Sequence, residues 1–231
     1  MHRGFTLAEV LITLGIIGVV SAITLPTLIQ KQRDKANVAK LQKVYSVLSQ
    51  AILRAKNDQG EFSAWSMSNT QASCNGVFSY IKPYIKYIKD CGNKSGCWAK
   101  NVKSLTGIDD SILGKNLTAL KSNGFYSFAL SDGAYVVIDF LDDTDRYIGI
   151  FGISKNDFVV SGVPLFWVDV NGNKAPNIVG RDIFVFLLSN KGLVPAGYND
   201  TTKCTTNSSK ATDTAGYTCT FKVLQEKGIN Y

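Results

Sequence analysis

An apolar run of 25 residues, Phe5 to Ile29, follows a short leader, Met1-His2-Arg3-Gly4, and is interrupted by one charge, Glu9. A helix rises about 1.5 Å per residue, so a run of this length reaches across a hydrocarbon layer of about 30 Å. Ser and Thr punctuate it at Thr6, Thr13, Ser21 and Thr24, but Glu9 is its only ionisable side chain. A carboxylate inside an apolar segment is costly unless paired, and by default it marks function rather than fold. A secretory signal peptide needs a shorter apolar stretch and a small-residue cleavage site behind it. Ser21-Ala22-Ile23 fits such a site poorly, and the run continues past it. A plain transmembrane anchor fits the length and gives Glu9 no purpose.

Beyond the run the pattern changes but stays helical. Val38, Leu41, Tyr45, Leu48, Ile52 and Ala55 recur in steps of three and four, with Lys40, Lys43, Arg54 and Lys56 on other faces. This predicts an amphipathic helix over residues 30–57 with one stripe against a core. The stripe is too short for a long coiled coil. One helix is expected from about Phe5 to Lys56, passing through Pro26, which membrane helices tolerate. Asn57-Asp58-Gln59-Gly60 reads as its stop.

Charge is unevenly placed. Through Lys56, eight basic residues (Arg3, Lys31, Arg33, Lys35, Lys40, Lys43, Arg54, Lys56) face two acidic ones (Glu9, Asp34), leaving six of the seven formal positive charges there. The remainder is nearly neutral and offers no basic face with exposed aromatics, so no specific nucleic-acid partner is expected. The basic stretch adjoins the apolar run, where anionic headgroups attract it.

The segment Gly4-Phe5-Thr6-Leu7-Ala8-Glu9, followed by VLITLGIIGVVSAITLP, resembles the cleavage and methylation segment of type IV pilins and type II secretion pseudopilins. The resemblance implies a prepilin peptidase that cuts between Gly4 and Phe5 and methylates the new amino group of Phe5. Residues 1–4 are then a leader, and residues 5–29 remain as a transmembrane and filament-core helix. Glu9 is implied to pair with the Phe5 amine of a neighbouring subunit. The implied partners are other pilin or pseudopilin subunits, the prepilin peptidase, an inner-membrane assembly platform and the lipid bilayer. The implied place is a single pass of the inner membrane with the C-terminal part outside the cytoplasm, and an assembled form in the periplasm or at the cell surface. Lys31, Arg33 and Lys35 outweigh the leader in charge and taken alone favour the opposite orientation. The cysteines and the resemblance set the outward one. The competing reading is a membrane-anchored surface domain that binds a ligand or calcium and does not polymerise.

Residues 58–231 suffice for one globular domain with its own core. Glu61 to Lys121 reads as irregular, with a short helix around Phe78 to Ile88. From Gly124 the chain is β-rich. Gly124–Leu130 and Ala134–Leu141 flank the turn Ser131-Asp132-Gly133, a hairpin signal. Arg146–Ile153, Leu165–Val170 and Ile183–Leu188 supply further strand candidates. Residues 199–214 read as a polar loop. The expected class is α+β, a long N-terminal helix packed on an antiparallel sheet, which is also the pilin architecture the resemblance implies.

Five cysteines occur, at 74, 91, 97, 204 and 219, with no CxxC and with His2 as the only histidine, so a zinc site is not expected. Cys204 and Cys219 bracket the polar loop, where pilins often close a loop with a disulfide. Cys91 and Cys97 bracket Gly92-Asn93-Lys94-Ser95-Gly96, which suits a short bridge, although Cys74 could take either partner. Disulfides point to an oxidising compartment.

Asp169, Asn171 and Asn173 echo the start of a calcium loop, with Asp182 as a further candidate ligand. The match stops there, since Lys174 and Gly180 stand where an EF-hand needs Gly and Glu. An Asx-rich turn explains the same residues. No GxSxG, Walker loop or HExxH is present, and Asp142, Asp143 and Asp145 suit a solvated turn, so no enzyme is expected.

Overall fold

The computed structural model describes residues 4, 6–65, 71–110, 113, 124–141, 149–158, 162–207 and 212–231. Helix α1 spans Leu7–Gln59, 53 residues, about 80 Å. It runs through Pro26 and stops at Gly60, whose φ of 89° suits glycine and whose N–H donates to the Lys56 carbonyl at 2.9 Å. Its first half is bare: the large apolar side chains from Leu7 to Ile29 are exposed. Burial begins at Asn37 and follows Val38, Leu41, Val44, Leu48, Ala51, Ile52 and Ala55. The expected stripe is therefore real, and Val44 and Ala51 widen it.

Among the described residues, six strands form one antiparallel sheet in sequence order: β1 (Tyr87–Gly92), β2 (Tyr126–Leu130), β3 (Tyr135–Leu141), β4 (Val163–Asp169), β5 (Ile183–Ser189) and β6 (Gly192–Pro195). The β2–β3 hairpin forms as expected, pairing Tyr126 with Ile138 and closing through Leu130 N–H on the Ala134 carbonyl at 2.8 Å. Strands β4 and β5 are buried along their whole length. Alternate residues serve opposite faces. Phe166, Val168, Phe184, Phe186 and Leu188 join the core beneath α1, where Tyr45 stacks on Phe186 with ring centroids 5.3 Å apart. Leu165, Trp167, Ile183, Val185 and Leu187 point the other way, into a second core with Phe151 and Tyr217. No long helix covers that face among the described residues; packed connecting segments do.

Two expectations change. The helix expected around Phe78–Ile88 lies earlier, as α2 (Gln71–Ile81), and Tyr87 onward is strand β1. Phe78 fixes this arrangement by stacking on Tyr126 at 4.2 Å and packing against Phe128 at 4.8 Å, which docks α2 on the sheet. The strand expected over Arg146–Ile153 is not one in its described part, because residues 149–151 are helical. Residues 142–148, with Asp142, Asp143 and Asp145, lie outside the described residues. A further helix, α3 (Cys219–Glu226), follows the polar loop and packs Val223 beneath α1 and the sheet.

Candidate functional site

Two regions hold the candidate residues: the start of α1 and the loop joining β4 to β5. Gly4 is exposed at the chain's start, and Phe5 lies outside the described residues. Thr6 caps α1. Its hydroxyl accepts from Glu9 N–H at 3.3 Å, while Glu9 Oε2 accepts from Thr6 N–H at 2.8 Å and from the Thr6 hydroxyl at 2.7 Å. This reciprocal capping box satisfies donors that a helix start leaves free. Glu9 therefore has partners within its own chain. The capping role of Thr6 is not among the sequence expectations, although Thr-x-x-Glu ahead of an apolar run is a recognised signal.

The β4–β5 loop sits against α1 where the helix meets the sheet. Arg181 lies 3.7 Å from Asp34, and its carbonyl accepts from Asn37 Nδ2 at 3.1 Å. Gly172 has φ of 67°, and a Cβ there would stand 2.7 Å from the Gly133 carbonyl, so only glycine lets this loop approach the β2–β3 turn. Asp169, Asn171 and Asp182 come together. Asp169 Oδ1 accepts from Asn171 N–H at 3.1 Å, and Asp182 Oδ2 accepts from Asn171 Nδ2 at 3.0 Å and Asn177 N–H at 2.9 Å. Asp182 Oδ1 accepts from Ile178 N–H at 2.5 Å. Asn173 is exposed, apart from this network. Asp169 Oδ2 and Asn171 Oδ1 are buried without a hydrogen-bond partner.

Burial pushes the Asp182 carboxyl from 3.8 up to about 6, outweighing the donors from Ile178, Asn171 and Asn177. Burial first, then the neighbouring Asp182, raises Asp169 well above the usual carboxylate range, with Lys40 on α1 pulling the other way. A carboxyl with a raised folded-state pKa holds its proton more tightly folded than unfolded. Its contribution therefore favours the fold at low pH and declines as pH rises from 3.8 through about 6. The expected result is that wild-type stability falls across this window relative to Asp182→Asn. Urea unfolding midpoints of both chains at several pH values measure it, and parallel curves would contradict it.

The cysteines sit at bonding distance in two pairs: Cys91 with Cys97 at 2.09 Å and Cys204 with Cys219 at 2.03 Å. Cys74 is buried and free, and burial pushes its thiol up to about 12. Closing the 204–219 loop, a separation of 15 residues, contributes on the order of 3 kcal/mol in a chain-entropy treatment. Among the described residues no group of three His, Cys, Asp or Glu side chains could hold a metal ion.

Comparison with known proteins gives two family matches. The family described as "Family of unknown function (DUF6613)" matches residues 27–226, and the "Prokaryotic N-terminal methylation motif" matches residues 1–25. The type IV major pilin protein PilE1 of Neisseria gonorrhoeae is 29% identical over 126 residues, covering 54% of this chain and 72% of its own. No solved structure matches.

Proposed function

We propose, from the premise that this chain belongs to the family DUF6613 and is type IV pilin-like through its N-terminal methylation motif, that it is a structural subunit of a type IV pilus or type II secretion pseudopilus. In this reading prepilin peptidase removes residues 1–4 and methylates Phe5. The bare first half of α1 holds the subunit in the inner membrane, with residues 58–231 outside the cytoplasm, until an assembly platform transfers it to the filament. There the apolar helices of successive subunits bury one another, and Glu9 pairs with a neighbour's Phe5 amine. The role is structural rather than enzymatic. One observation carries the reading: α1 turns from wholly exposed apolar residues to a buried stripe within one unbroken helix, directly behind Gly4-Phe5 and Glu9.

Mass spectrometry of the mature N-terminus tests it. The expected result is a chain that begins at N-methylated Phe5. A chain that retains Met1 in cells with active prepilin peptidase overturns it.

The calcium reading has less support. Calcium takes six to eight oxygens. Asp182 is committed to the Asn171 amide and the N–H groups of Asn177 and Ile178, and Asn173 is exposed. We infer that these residues close the loop by hydrogen bonding, as Asx-rich turns do, and do not form a cation cage.

A further inference from the structure

Four cations that are scattered in sequence line one groove. Arg33 and Lys40 come from α1, and Lys174 and Arg181 come from the β4–β5 loop, with Gln30 and Asn37 between them. The groove holds about 270 Å³, and none of its lining residues is acidic. The nearest carboxylate on α1, Asp34, is already engaged by Arg181 at 3.7 Å and by Gln30 Nε2 at 2.7 Å. A second groove on the other flank contains Lys31, Lys35 and Lys227, but Asp34 and Glu226 line it too and offset the charge.

Position selects the ligand. Gln30 directly follows Ile29, the last residue of the exposed apolar half. Arg33 stands about 6 Å further along the helix axis, within the depth of a headgroup layer. Lys40 lies about a Debye length beyond Arg33, close enough to feel the surface potential of an anionic leaflet. Arginine forks match phosphate oxygens in pairs. A groove lined by four cations, of which only Arg181 is paired with a carboxylate in the described contacts, fits a membrane-borne phosphate at this depth.

We propose that this groove binds the phosphate headgroup of an anionic phospholipid in the leaflet adjoining Ile29. The proposal rests on the membrane-inserted reading of α1 and not on polymerisation. The headgroup then fixes the depth and rotation of the subunit in the bilayer, because loop and helix are gripped together.

The test uses the full chain in neutral detergent, with phosphatidylglycerol or phosphatidylcholine added, and counts retained lipids by native mass spectrometry. Wild type is expected to retain phosphatidylglycerol about tenfold over phosphatidylcholine, and Arg33→Gln with Lys174→Gln to bring the ratio within about twofold. Both residues are exposed, and the Arg181–Asp34 pair and Lys40 stay intact. Should the double variant misfold by near-ultraviolet circular dichroism, Lys174→Gln alone is expected to lower the ratio about threefold. Equal retention of the two lipids by wild type overturns the proposal, as does an undiminished preference in a folded variant. Displacement of the lipid by millimolar inorganic phosphate would make the groove a site for free phosphate. Lipid-independent dimers that vanish with the double variant would assign it to a second copy of the chain. Either result overturns the lipid assignment. Flotation with phosphatidylcholine vesicles separates the two failures. A chain that does not float refutes membrane insertion and the proposal with it, whereas a floating chain without lipid preference refutes the headgroup site alone.

Discussion

Glu9→Leu is expected to leave the chain in the membrane and remove it from filaments. Leucine raises the apolar character of the first turn, so insertion persists. The carboxylate takes with it the cap on Thr6 N–H and, in the proposed filament, the charge offered to a neighbour's amine. Glu9→Gln separates them, because its amide oxygen still accepts from Thr6 but carries no charge. Sheared-filament yield, normalised to membrane-bound chain, is expected to fall about tenfold or more for both variants, the factor carried by a lost charge-assisted hydrogen bond. If Gln assembles like wild type and Leu does not, Glu9 acts through the capping box. If both assemble normally, the carboxylate has no part in assembly.

Trp167→Ala is expected to destabilise the protein by about 3–5 kcal/mol, the usual range for truncating a buried tryptophan. Trp167 is fully buried on the face of the sheet away from α1, with ring centroids 5.7 Å from Phe151 and 5.2 Å from Tyr217. Its Nε1 lacks a hydrogen-bond partner. Trp167→Phe removes that unsatisfied donor and keeps most of the packing, so it is expected to cost under about 1.5 kcal/mol. Urea titrations of the three chains give the comparison. A loss below about 1 kcal/mol for the alanine variant would mean that this face is a loose covering and not a second core.

Long elements with a strong period are legible from sequence. Helix α1, its buried stripe, its stop at Gly60 and the β2–β3 hairpin follow from spacing and turn chemistry. Strands β4 and β5 are legible as apolar runs, but a run buried on both faces does not say what covers each face. The second core around Trp167 therefore appears only in three dimensions. Strand β1 escapes because it is mostly exposed at a sheet edge and its pairing with β2 is bulged. Helix α2 is masked by its polar opening, Gln-Ala-Ser, and by Gly76, which weaken helix propensity. Helix α3 hides behind a Thr-rich stretch and β6 in four residues ending at Pro195. At the candidate sites, Asp169, Asn171 and Asp182 are identifiable as a group, but their exchange of hydrogen bonds with Asn177 and Ile178 depends on a fold-back that spacing does not reveal. The cation groove is invisible in sequence, since its four cations lie up to 148 positions apart.

The strictly sequential order of the sheet bears on how the protein is made. Each described strand pairs with the next described strand along the chain. Short closures, as between β2 and β3 and between β5 and β6, carry small entropic penalties and form early. In the proposed topology, with the amino end anchored and the rest threaded outward through a bilayer, the described strands can pair in the order of their emergence, with the helix already in place as a scaffold.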